Sequence, residues 1–198
     1  IRGVRVNLEV SRHADAPDAL HRLGATLDTL DDSPLLIQIY AALPMIVACA
    51  PLLRGACRPV LIDHFGLARA AEGTRQPGFD VLVELMTSAN VWMKLSGPYQ
   101  ISNAGPAYAD ITPVARAFIA ASPHRVVWGS DWPHTGGSNR PLSYRSKDLE
   151  PFRQEDDFHN FGLIWDWASQ ASVRERLLVD NPARLFGFGA YGMNGASE

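Results

Sequence analysis

Three short phrases carry groups that could do chemistry: Asp63-His64-Phe65-Gly66, Ser96-Gly97-Pro98-Tyr99 and Gly129-Ser130-Asp131-Trp132-Pro133-His134. Asn7 and Tyr40 close two earlier apolar runs in the same way. An imidazole such as His64 can bind a metal or polarise a carbonyl, and a carboxylate such as Asp131 can take a proton from water; both roles need groups that titrate usefully near neutrality. The competing reading is bland: a single His or Asp at a strand end is more often a structural hydrogen-bonder. Lys94 alternates with Met93 and Leu95 inside an apolar run, so it reads either as a buried catalytic amine or as an outward lysine whose stem lies between helices. Trp128 and Trp132 read as packing residues, since large aromatics dominate cores. His13, His21, His124 and His159 fall in helical or connecting segments and read as surface histidines. Gly136-Gly137-Ser138 follows no strand directly and lacks the lysine of a phosphate loop. Asp156-Asp157 beside Glu155 reads as the charged start of a helix, where the dipole favours anions, rather than as a metal site.

The elements that must position these groups alternate along the chain. Short apolar runs at 4–8, 35–40, 60–63, 91–95 and 125–128 are bounded by polar residues, Gly or Pro, as buried parallel strands are. Between them, 16–29, 43–53, 79–88 and 112–121 repeat aliphatic residues at helical spacing. The order βαβαβαβαβ predicts an α/β fold with a parallel sheet and right-handed crossovers, either doubly wound or closed as a (β/α)₈ TIM barrel. Periodicity does not choose between the two. In both, ligands bind at the C-terminal ends of the strands, where the three phrases fall. Thr112-Pro113 and Asn181-Pro182 each read as an N-cap followed by Pro in the first turn. Residues 134–154 read as a long loop, 156–169 and 172–179 as helices, and the Gly-rich 187–198 as a fraying tail.

With 198 residues, 46% hydrophobic and 20% charged, the chain is sized for a single globular domain, 1–198. Lys and Arg total 18 against 21 Asp and Glu, a net charge of −3 with no basic block, which disfavours nucleic acid as a partner. Cys49 and Cys57 lack C-x-x-C spacing, too few for a disulfide framework and wrong for a zinc ribbon, so a reducing cytoplasm fits. No apolar run approaches the roughly 20 residues of a membrane helix, and no signal-peptide layout opens the chain. The start at Ile1-Arg2-Gly3-Val4, without methionine and close to a strand, reads as a trimmed chain. Nothing in the pattern specifies an oligomeric state.

Five ordered phrases resemble the amidohydrolase-related metal-dependent hydrolases, in particular the branch of 2-pyrone-4,6-dicarboxylate lactonase and sugar-acid lactonases. They are Gly3-Val4-Arg5-Val6-Asn7, Leu61-Ile62-Asp63-His64-Phe65-Gly66, Val91-Trp92-Met93-Lys94-Leu95-Ser96-Gly97-Pro98-Tyr99, Trp128-Gly129-Ser130-Asp131-Trp132-Pro133-His134 and Asp180-Asn181-Pro182-Ala183-Arg184-Leu185-Phe186-Gly187-Phe188. The resemblance implies a (β/α)₈ barrel that opens a lactone ester with activated water. Asp131 would match the general base, and His64 the histidine that polarises the scissile carbonyl. In metal-dependent relatives the same two residues, His64 and Asp131, ligate a divalent cation, so the cofactor is one metal ion (Zn or Mn) or none. Asn7, Tyr40 and His134 would match substrate-contacting positions, joined by Ser96 and Tyr99 from their place at a strand end.

Two departures from that family matter. Its first strand ends in His-x-His, which occurs nowhere here, and a full barrel takes about 250 residues, so the chain is expected to start inside the third βα unit, as an incomplete barrel lacking the first two. The dicarboxylate lactonases carry arginines where this chain has Leu67 and Gln100, so a lactone or carboxylic acid with fewer negative charges is expected. The alternatives are a decarboxylase of the same superfamily, or an inactive barrel remnant that keeps only the scaffold.

Overall fold

Strands β1 (Gly3–Asn7), β2 (Leu36–Tyr40), β3 (Val60–Ile62), β4 (Val91–Ser96) and β5 (Val126–Gly129) pair in parallel in the order β1-β2-β3-β4-β5. This is a computed structural model, and it describes residues 1–8, 15–135 and 152–188. Helices α1 (Ala16–Thr29), α2 (Leu43–Arg54), α3 (Phe79–Ser88) and α4 (Thr112–Ala121) carry the chain from each strand to the next, each packed on its neighbour. A doubly wound sheet reverses its strand order at a switch point; here every crossover advances one strand in one direction, which is the winding of a (β/α)₈ barrel. Five strands are seen among the described residues, against eight in a closed barrel. After β5 come α5 (Asp157–Trp167), α6 (Ala171–Glu175), a π-helical turn Arg176–Asp180, and α7 (Asn181–Phe186).

Period-two alternation sorts each strand onto two faces. One face supplies Val6, Ile37, Ile39, Val60, Ile62 and Met93 to the large core shared with the helices. The other is the inner face of the barrel, and its lowest level is apolar: Leu36, Leu61, Trp92 and Val127 pack on Leu185 and Phe186 of α7, which closes that end. Two positions beyond Leu36, Leu61 and Trp92 the same face turns polar at Gln38, Asp63 and Lys94, and the change of character from floor to mouth places the chemistry at the C-terminal ends.

Local details depart from the sequence reading in places. Thr112 lies inside α4 behind Ile111 and makes no capping hydrogen bond, because the preceding turn Ala109–Ile111 feeds directly into the helix. Asn181 is not a cap either. The π-helical turn runs into α7 without a break, and the Asn181 side chain instead donates to the carbonyls of Pro123 (2.9 Å) and Val126 (2.7 Å), pinning α7 to the entry of β5. The helix expected over 172–179 is divided between α6 and that turn. Short 3₁₀ segments at His64–Leu67, Ala70–Arg75, Pro98–Gln100 and Ala109–Ile111 carry no periodic signal in the sequence. His21, His124 and His159 are exposed, as expected; His13, Gly136-Gly137-Ser138 and the tail from 189 lie outside the described residues. Among the described residues no helix is long and apolar enough to cross a membrane.

Replacing Asn181 with Ala leaves two backbone carbonyls of the β5 entry without their donor and is expected to cost about 1–3 kcal/mol in a urea unfolding experiment. A midpoint equal to wild type would show that α7 is held by its apolar contacts alone.

Candidate active site

The polar level of the inner face centres on one carboxylate. Asp63, 1% exposed, accepts from Arg5 Nε of β1 at 3.0 Å and from Gln38 Nε2 of β2 at 2.8 Å to each oxygen, while Lys94 Nζ of β4 stands 3.0 Å from its Oδ1. Burial works against ionising Asp63, but the Lys94 and His64 charges and the hydrogen bonds of Gln38 and Lys94 outweigh it and hold the carboxyl below its ordinary 3.8. Lys94 is therefore not an outward, snorkelling lysine. The strand alternation turns it inward, and its cation is engaged by Asp63.

Directly after β3, His64 begins a left-handed run: φ is 49° at His64, 55° at Phe65, 64° at Gly66 and 47° at Leu67. Such angles are uncommon for residues with a side chain, and they turn the imidazole back over the end of the sheet. His64 Nδ1 lies 2.9 Å from Ser96 Oγ and 3.3 Å from the Ser96 carbonyl oxygen, and its ring meets Tyr40 edge-on at 5.4 Å. Burial pushes the His64 pKa down; the Asp131 and Asp63 charges and the Ser96 backbone oppose this without overcoming it. His64 is thus a neutral imidazole at pH 7. Among the described residues the buried Tyr40 hydroxyl has no hydrogen-bond partner, and the Arg5 guanidinium lies 5.1 Å from its ring centre.

Asp131, at φ 67°, reaches the same point from beyond β5. Its Oδ2 accepts from Tyr99 Oη at 2.6 Å and Gln100 Nε2 at 3.4 Å, while Oδ1 faces His64 Nε2 across 3.7 Å. Burial, then the hydrogen bond to Asp131, raises the Tyr99 pKa far above its ordinary value, so the phenol keeps its proton and donates. A side chain at Gly97 would place its Cβ 2.6 Å from Asp131 Oδ2, so only glycine, here at φ 58°, lets the carboxylate sit there.

Of the residues marked in the sequence, the structure joins Tyr40, His64, Ser96, Tyr99, Asp131 and His134 in one linked set. Asn7 pairs with Tyr40 in the β1–β2 register, and its carbonyl accepts from Arg22 Nη2 at 2.9 Å. His134 is buried beneath Tyr99, with Nδ1 3.4 Å from the phenol oxygen. Trp128 packs as expected, edge-on to Phe161 at 5.3 Å, but Trp132 is 75% exposed and is no packing residue, since the turn after Asp131 points it away from the core. Sequence reasoning missed Arg5, Gln38, Gln100 and Asp157. A signal was present for the first two: polar residues at alternate positions of otherwise apolar strands mark a polar inner face. A cleft of 510 Å³ lined by Leu67, Arg69, Tyr99, Gln100, Ser102 and Asp110 adjoins the set.

For a metal ion, the donors are His64 Nε2 and Asp131. Catalytic zinc takes three protein ligands, and the described residues hold no group of three His, Cys, Asp or Glu placed to share an ion. The described residues alone do not make a cation site.

A barrel winding with a histidine and an aspartate at its strand ends defines a (β/α)-barrel protein. This chain belongs to the amidohydrolase family, whose profile matches residues 1–188. It is 35% identical over 189 residues to 4-sulfomuconolactone hydrolase of Rhizobium radiobacter, covering 94% of this chain and 58% of that one. It is 31% identical over 211 residues to a 2-pyrone-4,6-dicarboxylate hydrolase of Comamonas testosteroni, covering 94% and 59%. The chain therefore spans under two-thirds of the length of these relatives. Among solved structures, a probable 2-pyrone-4,6-dicarboxylic acid hydrolase from Acinetobacter baumannii, with citric acid bound, superposes with TM-score 0.72 at 23% identity over 95% of this chain and 65% of that one. The barrel expectation is borne out.

Replacing Asp63 with Ala leaves the largely buried Lys94 cation without its carboxylate, while half-exposed Arg5 returns to solvent, and is expected to destabilise the fold by about 1–3 kcal/mol, read from denaturant unfolding. The folded His64 pKa lies below its ordinary 6.5, so acid protonates the unfolded chain first and stability is lost as pH falls below that value. Unfolding free energy should decline from about pH 7.5 to about pH 5.5, and His64→Gln should flatten the decline; an unchanged slope in the variant would contradict a neutral His64.

Proposed function

We propose that the site hydrolyses a lactone by water attack, with Asp131 as general base. The observation that carries this is the inequivalence of the two Asp131 oxygens. Oδ2 is committed to Tyr99 and Gln100, whereas Oδ1 is directed across a 3.7 Å gap at His64 Nε2. A base needs one fixed oxygen and one available oxygen, and this carboxylate has both. The similarity to two relatives named as hydrolases of a lactone and of a pyrone, a cyclic ester, supports the same reading.

Asp131 Oδ1 takes a proton from water as the water oxygen bonds to the lactone carbonyl carbon. The ring C–O bond then breaks, and the proton goes to the leaving oxygen, giving a hydroxy acid or its tautomer. In the tautomer in which the Ser96 hydroxyl donates to Nδ1, neutral His64 presents Nε2–H to the carbonyl oxygen, where negative charge develops. The unpartnered Tyr40 hydroxyl is a second donor at the same end of the sheet. Below them Arg5 and Lys94 share the single carboxylate of Asp63, a surplus of one positive charge that favours an anionic substrate or product. Leu67 and Gln100 supply no further cation, so the substrate is a lactone with one negative charge or none, in keeping with a small-molecule carboxylic acid product. A divalent cation, Zn or Mn, would engage His64 and Asp131 and would supply Lewis-acid activation of water. The two free thiols, Cys49 and Cys57, support a cytoplasmic enzyme.

A panel of lactones of differing charge, assayed with the full-length protein by acid release, tests this. Asp131→Asn is expected to lower kcat/KM by about 10²–10⁴-fold while the unfolding midpoint stays near wild type. Added Zn²⁺ or Mn²⁺ reports metal dependence in the same assay. Turnover of no lactone by wild type would overturn the reading in favour of an inactive scaffold, and a clear dicarboxylate preference would overturn the charge assignment.

A further inference from the structure

We propose that His134 does not meet the substrate but, together with Asp157, acts through Tyr99 as a positioning arm for Asp131. This rests on the reading of Asp131 as the base. The Tyr99 hydroxyl donates to Asp131 Oδ2 at 2.6 Å, so toward His134 its oxygen can only accept. His134 Nδ1, 3.4 Å away, therefore carries a proton directed at that oxygen. On the far side of the ring, His134 Nε2 and Asp157 Oδ1 stand 3.2 Å apart, a close approach rather than a formed hydrogen bond; both atoms are buried, and among the described residues neither has a hydrogen-bond partner. Among the described residues the imidazole thus has a protein group against each nitrogen, and the residue is only 5% exposed.

Independent contacts hold the arm in place. The His134 ring meets Tyr99 edge-on at 5.7 Å, and its backbone is fixed at φ 58°, a conformation that persists only where the surroundings impose it. The Arg153 amide donates to the His134 carbonyl at 2.8 Å, and the Arg153 guanidinium covers the Tyr99 ring at 4.7 Å. Asp156 caps α5 by accepting from the amides of Phe158 (2.9 Å) and His159 (3.0 Å), which sets Asp157 in the first turn opposite His134. The charged groups around the arm are Asp131, Asp157, Arg153 and Glu155, the last of which stands 3.7 Å from Arg153 and takes the Tyr108 hydroxyl at 3.0 Å. The chain beyond β5 and the start of α5 thereby converge on one phenol oxygen, and that phenol fixes which oxygen of Asp131 is free.

Two readouts test the arm, one of them independent of turnover. In ¹⁵N NMR of the full-length protein, the His134 ring is expected to be protonated at Nδ1, and Tyr99→Phe to shift that resonance; an unprotonated Nδ1 overturns the proposal even if the protein turns over no lactone. In kinetics on whichever lactone the panel identifies, Tyr99→Phe and Asp157→Asn should each lower kcat, by about 10-fold or more for Tyr99→Phe, with KM near wild type. Their effects should be non-additive in the double variant, as for groups acting in series. A raised KM with intact kcat in His134→Gln, together with no effect of Asp157→Asn, would return His134 to substrate contact and overturn the proposal.

Discussion

One buried carboxylate ties four strands together. Arg5 of β1, Gln38 of β2 and Lys94 of β4 all converge on Asp63, which follows β3, so strand register and charge balance are a single condition. A slip of one residue in β1 or β4 would turn Val4, Val6, Met93 or Leu95 toward Asp63 and carry its cations to the helix side. An unpaired carboxylate at this depth is among the most costly groups a fold can hold. The polar level of the barrel therefore specifies pairing more sharply than the interchangeable aliphatic residues on the opposite face.

The site stands on that level. His64 is the next residue after Asp63, so the network that anchors the carboxylate also fixes where the imidazole begins, and the left-handed backbone from His64 to Leu67 then directs the ring over the end of the sheet. Asp131 reaches it at another positive φ, into space that Gly97 leaves open. Backbone strain at both residues is supported by their side-chain partners, Ser96 for the histidine and Tyr99 for the aspartate. The two groups are thus preorganised before any substrate arrives, which is the condition under which electrostatic stabilisation of a transition state is most effective.

Charge is graded along the same axis. The floor is apolar, the middle level has a cationic surplus, and the mouth presents a neutral imidazole, a phenol and a carboxylate. Under the proposed reading, an ester whose carbonyl gains negative charge during attack suits that gradient. Tyr108, its pKa pushed up to about 12 by burial and the Glu155 hydrogen bonds, remains a donor and anchors the outer layer around Tyr99.

Most of the scaffold and the two central groups were legible in the sequence. Period-two and helical spacing are local properties, so α1, α3 and α4 were read to the residue, and the five strands to within about one residue at each end. His64 and Asp131 were legible because each stands just past the end of a run readable as a buried strand. Whether the sheet reverses or winds onward was not, because strand order is set by packing between elements distant in the chain; the parallel order from β1 to β5 decided it. Nor was the direction of Lys94, which local pattern left open between inner face and helix side until the register placed it against Asp63. The caps at Thr112 and Asn181 and the packing of Trp132 failed for one reason: a residue's type states which bonds it can make, but only the tertiary structure supplies the partner. The same holds for the arm from Asp157 through His134 to Tyr99, whose members lie on separate segments and share no motif until the fold sets them side by side.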